Sequence, residues 1–144
     1  HAACCGILQK QFDFKATWAR NTFSPGDTVD ITIKLALISG RGTCTLRMVS
    51  VKLVRELILM VDDQMFRTVD PIEKAKFKIE GALLSGEIDL ELCTSAALTI
   101  PANLEQKCSA TSSSIDCRYF LVFEVDFRWY KSVLLASELL INPV

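Results

Sequence analysis

The residues that could carry out chemistry in this chain are few, and their types argue against catalysis. The only histidine is His1, at the start of the sequence. Cys–His and Ser–His–Asp arrangements both need an imidazole that takes a proton from the nucleophile, so a chain without an internal histidine cannot build them. We therefore predict that the chain is not an enzyme and that it has no catalytic residues, no cofactor and no small-molecule substrate.

Acidic side chains are the next candidates, because carboxylates can bind Ca²⁺ or a basic peptide. Glu87, Asp89 and Glu91 alternate along one stretch, and Asp62-Asp63 follows a long apolar run. Both groups have a simpler structural explanation, since the acidic stripe can face lysines on a neighbouring strand and the Asp pair can occupy a solvated turn. We predict no metal site.

Six cysteines stand at positions 4, 5, 44, 93, 108 and 117. An even number permits a disulfide framework of the kind found in secreted domains, whereas the chain lacks the paired Cys-x-x-Cys spacing typical of zinc sites. Cys108 and Cys117 flank a Ser-rich loop and are the pair that could form a bridge. Cys93 ends an alternating strand, where we expect a buried thiol.

The composition indicates one domain with a large apolar content. The chain has 144 residues, half of them hydrophobic, so we expect either a very complete core or apolar surface that meets a partner. With 16 basic and 17 acidic residues the net charge is −1, which argues against nucleic-acid binding. No apolar run approaches the ~20 residues of a membrane-spanning helix, and residues 57–61 are predicted to form a buried strand.

Hydrophobic alternation with a period of two predicts β-strands along most of the chain. The clearest example lies in the last third, where every second residue from Tyr119 to Trp129 is apolar. Similar patterns predict strands over residues 12–18, 29–35 and 46–61. Seven or eight strands at this spacing make a sandwich, so the fold class is predicted to be all-β, a two-sheet antiparallel immunoglobulin-like sandwich.

Charge alternation predicts a hairpin in the middle of the chain. Three lysines and three acidic residues alternate with apolar residues on two neighbouring segments. A single antiparallel register would place them opposite one another: Lys78 with Glu87, Lys76 with Asp89 and Lys74 with Glu91. Opposite charges on neighbouring strands are favourable, so we predict this hairpin, with residues 80–85 as its connection.

Two features remain as candidate partner-binding sites. Leu83 and Leu84 lie in the predicted connection, where polar residues are usual; they could tuck under the rim of the sandwich or form an exposed anchor for a partner or a membrane surface. Arg55 interrupts an apolar strand face between Leu53 and Leu57. A charge there must be paired or exposed, so we expect a salt bridge within its own sheet, and partner binding is the alternative.

An ordered set of short motifs resembles the C-terminal domain of arrestin-like proteins. A Pro-Gly turn precedes a regular strand, a long strand and a Gly-terminated hairpin follow, and a "Leu-x-Ile-Pro" element leads into the last two strands. In this chain the matching residues are Ser24-Pro25-Gly26-Asp27, Ser85-Gly86, Leu98-x-Ile100-Pro101, Ile115-x-Cys117-x-Tyr119 and Leu139-x-Ile141. The resemblance covers residues 11–143. We expect a domain over residues 11–144, and residues 1–10 as an N-terminal tail or a remnant of expression.

The resemblance implies a non-enzymatic adaptor in membrane-protein trafficking. Its implied partners are cytoplasmic tails of membrane-protein cargo and components of the trafficking or ubiquitin-ligase machinery, with contact to the membrane surface as a further expectation. The implied location is the cytoplasm, at the periphery of the plasma membrane, endosomes or Golgi. The Pro-Pro-x-Tyr motifs with which arrestin-related adaptors recruit ubiquitin ligases do not occur in this sequence.

Two alternative functions stay open at this point. The first is a subunit domain of a trafficking complex, similar to retromer or a Golgi Rab exchange factor. The second is a secreted, disulfide-bonded binding module of the immunoglobulin-like class, which the six cysteines permit.

Overall fold

The structure, a computed structural model, describes residues 3–8, 12–37, 43–79, 83–85, 91–104, 110–111, 114–127 and 132–142. Within these residues all regular secondary structure is β. The strands are β1 Ala3–Leu8, β2 Phe12–Trp18, β3 Thr22–Phe23, β4 Thr28–Leu37, β5 Thr43–Val61, β6 Gln64–Lys76, β7 Leu83–Ser85, β8 Glu91–Thr99, β9 Ala110–Thr111, β10 Ile115–Phe127 and β11 Val133–Ile141.

The strands form two sheets packed face to face. The smaller sheet has the order β1-β2-β4-β8, and the larger has the order β3-β11-β10-β5-β6, with β7 paired to β5 and β9 paired to β10. All pairings are antiparallel except that of β3 with β11. The prediction of an all-β, two-sheet sandwich is therefore confirmed.

The core lies between the sheets and consists of the apolar residues that alternate along each strand. Phe14, Trp18, Phe123 and Val125 are all buried, as their alternation predicts. The Phe123 ring on β10 contacts both aromatic rings of β2, with centroids 5.8 Å from Phe14 and 6.1 Å from Trp18. Because burial of each such side chain is worth roughly 1.5–3 kcal/mol, this aromatic cluster is a main link between the two sheets.

The predicted turn at Ser24-Pro25-Gly26-Asp27 is present. Asp27 N donates to Ser24 O at 3.0 Å, and Gly26 has φ of 91°. That backbone conformation favours glycine, since a Cβ would be strained there. Gly26 N also donates to Ile100 O at 2.9 Å, so the turn is joined to the Leu98-x-Ile100-Pro101 element.

The predicted hairpin between residues 74–78 and 87–91 is wrong. Lys74 pairs with Lys52 of β5, whereas Glu91 pairs with Ala36 of β4 in the other sheet. Glu87 and Asp89 lie outside the described residues. Exposed charge pairs are worth too little to select a neighbour, and the two-residue turn Asp62-Asp63 already brings β6 beside β5.

Three further expectations differ from the structure. Residues 57–61 are only half-buried at their start, and Met60 and Val61 are exposed. Cys93 is an exposed free thiol rather than a buried one, because it lies on the outer side of β8. Ala3–Leu8 pairs with β2 and so belongs to the smaller sheet, although the sequence placed these residues ahead of the domain.

Candidate functional site

A group of exposed apolar side chains lies where β5 turns into β6. We call it the hairpin end and define it as Met60, Val61, Met65, Phe66 and the adjoining Ile115 of β10. These side chains are between 43% and 63% exposed. Grouped exposed apolar side chains are typical of surfaces that contact a partner, so the hairpin end is a candidate interaction surface.

The hairpin end is apolar on both of its faces. Met60 pairs with Met65, and Leu59 pairs with Phe66 on one side and Ile115 on the other. Because neighbouring residues of a strand point to opposite faces, the two methionines share one face, and Leu59, Phe66 and Ile115 share the other. Both faces of the hairpin end are exposed because this part of the larger sheet lies beyond the smaller sheet. A partner could therefore contact the hairpin from either side.

The turn at the tip of the hairpin carries negative charge. Asp62 and Asp63 are exposed and have φ of 49° and 64°, the left-handed conformation used by two-residue hairpin turns. The tip therefore combines two carboxylates with the apolar residues that flank them. This combination suits a partner with basic and apolar residues and disfavours an anionic membrane surface.

Arg55 is held by an ion pair within its own sheet, as the sequence predicts. Its Nη2 lies 3.4 Å from Asp70 Oδ2, and its side chain is only 16% exposed. Asp70 is the residue that pairs with Arg55 across β5 and β6. The contact explains how a guanidinium fits in an otherwise apolar row, and the alternative role of Arg55 in partner binding stays a prediction.

Tyr119 lies on the other side of Arg55, on β10, and is fully buried. Burial raises the pKa of Tyr119 to about 12, and the neighbouring Cys117 thiol acts in the same direction. The Arg55 guanidinium acts in the opposite direction, because a positive charge favours the phenolate. The phenol of Tyr119 is therefore neutral below about pH 12 and available for hydrogen bonding. We interpret Tyr119, Cys117 and Arg55 as a cluster that supports the fold.

Leu83 and Leu84 lie in β7, whose backbone pairs with Thr45 and Cys44 of β5. The segment is a short strand paired with β5, and it is not the connection of the hairpin that the sequence predicted. Thr45 and Arg55 are about 33 Å apart along an extended strand, so the structure does not bring the two leucines and Arg55 into one site. The role of Leu83 and Leu84 as an anchor or a buried rim stays a prediction.

The hairpin end is a candidate surface that the sequence patterns did not single out. Its signal is present as two apolar segments, residues 57–61 and Met65-Phe66, on either side of an acidic pair. The part of the chain that the structure describes contains no cluster of three or more potential metal ligands. The same residues include no helix suited to crossing a membrane.

Comparisons with known proteins agree with this architecture. The sequence model of the arrestin (or S-antigen) C-terminal domain matches residues 9–142. Among solved structures, the sporulation control protein Spo0M from Bacillus subtilis is similar with a TM-score of 0.73 and 12% identity. The similarity covers 93% of this chain and 50% of Spo0M, so the chain spans about half the length of that protein. No curated protein sequence matches the chain significantly.

At 12% identity the similarity to Spo0M shows the fold alone. The family match carries more weight, because it extends over nearly the whole sequence and includes every motif of the sequence-based resemblance. Domains of this family generally bind other proteins and act as scaffolds rather than enzymes. This chain therefore belongs to the family of arrestin C-terminal domains.

Proposed function

We propose that this chain is the interaction domain of an adaptor in membrane-protein trafficking, and that its hairpin end docks cytoplasmic segments of membrane-protein cargo. The observation that carries the proposal is the apolar, two-faced hairpin end with Asp62 and Asp63 at its tip. Family membership supports the protein-binding part of the proposal, and the chemistry of the hairpin end supports the choice of cargo.

The match in chemistry concerns the segments that follow a transmembrane helix on its cytoplasmic side. Such segments carry an excess of Lys and Arg beside apolar residues. The basic residues would face Asp62 and Asp63, and the apolar residues would pack on Met65 and Phe66. In this proposal the adaptor is cytoplasmic, at the periphery of the plasma membrane, endosomes or Golgi, and it links cargo to trafficking or ubiquitin-ligase components.

The test measures binding of the purified chain to synthetic juxtamembrane peptides that contain both apolar and basic residues. We expect binding to weaken at least about tenfold in the Met65→Ser/Phe66→Ser variant, since central apolar contacts dominate interface energies. The matched control is Leu140→Ser, because Leu140 is 41% exposed and lies on β11, a strand that contributes no residue to the hairpin end. Both variants should keep the wild-type melting temperature, as they change exposed residues.

A second variant tests the charge at the tip. Asp62→Asn/Asp63→Asn should weaken binding to the same peptides and make it less sensitive to salt, because rim charges act mainly through screened electrostatics. Equal binding of the wild type, Met65→Ser/Phe66→Ser and Leu140→Ser proteins would contradict the proposal. So would a set of peptides that bind only when their basic residues are replaced by acidic ones.

A further inference from the structure

The outer edge of β6 is open to solvent. β6 stands last in the larger sheet, and among the described residues it pairs only with β5. Every residue from position 61 to 71 is exposed. At the opposite end of this sheet the edge strand β3 has 2 residues, whereas β6 has 13. Because an open edge presents backbone groups with which another strand can pair, β6 offers far more of them than β3 does.

The hydrogen-bond pattern shows which residues of β6 face away from β5. Residues of an antiparallel pair alternate between those that bond to each other and those whose N–H and C=O groups point outward. The two-residue turn makes Val61 and Gln64 a bonded pair. The alternation from there turns the backbone of Met65, Arg67 and Val69 away from β5, so three N–H and three C=O groups lie along the outer edge.

Two further observations support this alternation. Met60 N donates to Ser114 O at 2.8 Å, so the even-numbered residues in this stretch of β5 bond toward β10 and the odd-numbered ones toward β6. Pro71 pairs with the even-numbered Val54, and a proline, which has no N–H, fits where the neighbouring strand requires no donor. Within the described part of the chain, no other segment bonds to the outward groups.

Pro71 also sets the limit of the edge. It offers no donor to an added strand, and Ile72 is an extra residue between the pairs that Val54 forms with Pro71 and Leu53 forms with Glu73. Such a bulge bends the strand and interrupts regular pairing. The stretch that suits strand addition therefore comprises residues 64–70, about 24 Å at the rise of a strand. We call the backbone of these residues the β6 edge.

The side chains of the β6 edge favour an apolar partner strand. Met65 and Val69 project from one face and are 63% and 49% exposed, while Phe66 projects from the other face and is 52% exposed. Arg67 already contacts Glu56 at 2.6 Å, so it needs no charge opposite it. An added strand with apolar side chains beside Met65, Phe66 and Val69 would remove exposed apolar surface from water on both faces.

The acidic tip favours one direction for the added strand. Asp62 and Asp63 are exposed, and neither forms an ion pair among the described residues. β6 runs away from the tip, so an antiparallel strand runs toward it and ends beside the two aspartates. Antiparallel pairing is also slightly more stable per residue than parallel pairing. Basic residues at the carboxyl-terminal end of the strand would complement the tip.

We propose that the β6 edge binds an extended segment of a protein partner as an added antiparallel strand, with apolar side chains beside Met65, Phe66 and Val69 and basic residues at its carboxyl-terminal end. Main-chain hydrogen bonds hold such a segment, and the side chains on its two faces select its sequence. This mode of binding rests on the proposed function for the class of partner, because it uses side chains of the hairpin end.

The experiment measures binding of a synthetic nine-residue peptide to the full 144-residue chain by calorimetry. The peptide carries valine at its second, fifth and sixth positions, lysine at its last two positions and threonine elsewhere. In the proposed register its second, fourth and sixth residues bond to Val69, Arg67 and Met65, and its fifth residue lies beside Phe66. The two lysines then reach the acidic tip.

Two N-methylated forms of the peptide test the mode of binding. Methylation of the second, fourth and sixth residues removes the N–H groups that face β6, so it should weaken binding at least about tenfold. Methylation of the third, fifth and seventh residues removes N–H groups that point away from β6. This matched form should bind within about threefold of the unmodified peptide.

A third form of the peptide tests its direction. Moving the two lysines to the amino-terminal end separates them from Asp62 and Asp63, so binding at low salt should weaken at least about threefold. Equal binding would overturn the antiparallel direction.

A protein variant tests the same bonds from the other side. Val69→Pro removes one outward N–H without removing a bond to β5, and it should weaken binding of the peptide at least about tenfold. The matched control Val69→Ala shortens the same side chain but keeps the N–H, so it should bind within about threefold of wild type. Circular dichroism should show that both variants are folded, and the methylated peptides test the wild-type chain in any case.

Four results would overturn the added strand. They are no binding of the nine-residue peptide, equal binding of its two methylated forms, equal binding by folded Val69→Pro and Val69→Ala, and a concentration-dependent dimer that Val69→Pro abolishes, which would assign the β6 edge to a second copy of the chain. If the two methylated forms bind equally while juxtamembrane peptides still require Met65 and Phe66, only the added strand fails. If binding depends on methylation but no juxtamembrane peptide binds, the cargo proposal fails and the added strand stands.

Discussion

Arg55 and Tyr119 illustrate how the inward face of the larger sheet accommodates polar groups. Arg55 lies between Leu53 and Leu57 and contacts Asp70, which is itself more than half exposed. Tyr119 lies opposite Arg55 on the neighbouring strand and is fully buried. A buried phenol is tolerated because it stays neutral, whereas its phenolate would lose most of its hydration.

The raised pKa of Tyr119 predicts a loss of stability at high pH. The pKa is about 12 in the folded chain and close to its ordinary value of 10.0 when unfolded. Between these values the unfolded chain releases a proton that the folded chain keeps, so the unfolding free energy falls as pH rises. Linkage gives a decrease of about 2 to 3 kcal/mol over this range.

The measurement is urea unfolding of wild type and Tyr119→Phe at several pH values from 9 to 12. The phenylalanine variant lacks this titration, so the stability difference between the two proteins should shrink or reverse as the pH rises. Lysine and cysteine titrations are common to both proteins and cancel in the difference. A difference that stays constant from pH 9 to 12 would show that the pKa of Tyr119 is not raised.

At the scale of elements, the hairpin formed by β5 and β6 supplies most residues of the candidate surface. Its turn supplies the acidic tip, and its far half supplies Met60, Val61, Met65 and Phe66 of the hairpin end. The candidate surface therefore depends mainly on one pair of strands and the turn that joins them.

The geometry of the turn predicts a stabilising substitution. Asp62 and Asp63 both have positive φ, and Asn-Gly is the preferred pair for such a turn. Asp62→Asn/Asp63→Gly should raise the unfolding free energy by about 0.5–1 kcal/mol, chiefly by relieving backbone strain at position 63. A thermal scan should show the melting temperature rise by roughly 1–4 °C. A lower melting temperature would indicate that the aspartates stabilise the turn through contacts of their own.

Leu83 and Leu84 give a second prediction at this scale. The sequence favours their burial under the rim of the sandwich over an exposed anchor, and β7 pairing joins this segment to the larger sheet. Leu83→Ser/Leu84→Ser should therefore lower the unfolding free energy by roughly 1.5–3 kcal/mol per leucine, measured by denaturant unfolding. An unchanged midpoint together with weaker binding to a partner or to liposomes would identify an exposed anchor.

At the scale of the whole molecule, a few large side chains join the two sheets, so we expect the sheets to unfold together. Phe123 on the larger sheet contacts Phe14 and Trp18 on the smaller one. Charges contribute less at this scale, because the net charge is −1 and the ion pairs lie near the surface. The stability of the domain therefore depends mainly on its apolar core.

Replacing Phe123 with alanine tests this dependence. Phe123→Ala should lower the unfolding free energy by about 3–5 kcal/mol, because it leaves a cavity between the sheets. Far-ultraviolet circular dichroism and tryptophan fluorescence should report the same unfolding midpoint if the sheets unfold together. Two separate midpoints would show that each sheet unfolds independently of the other.

The sequence by itself determined which side chains point inward. The hydrophobic alternation along β2, β4 and β10 correctly predicted that Phe14, Ile31 and Phe123 lie in the core. The turn at Ser24-Pro25-Gly26-Asp27 was also predicted correctly from its residue types. Both are local properties, since alternation belongs to one strand and turn conformation to four residues. The order of these local motifs also carried the family resemblance that the comparison over residues 9–142 confirms.

Only the tertiary structure decided which strands are neighbours and which apolar residues stay exposed. Lys74 lies opposite Lys52 although a pairing with Glu91 would be electrostatically more favourable. Exposed charge pairs are weak, so the short turn before β6 determined its neighbour. The hairpin end is exposed because β5 has 19 residues and β6 has 13, whereas β2, β4 and β8 have 7, 10 and 9. β5 and β6 extend past the smaller sheet, which therefore leaves their far ends uncovered. The sequence of one strand does not show how long the strands of the opposite sheet are.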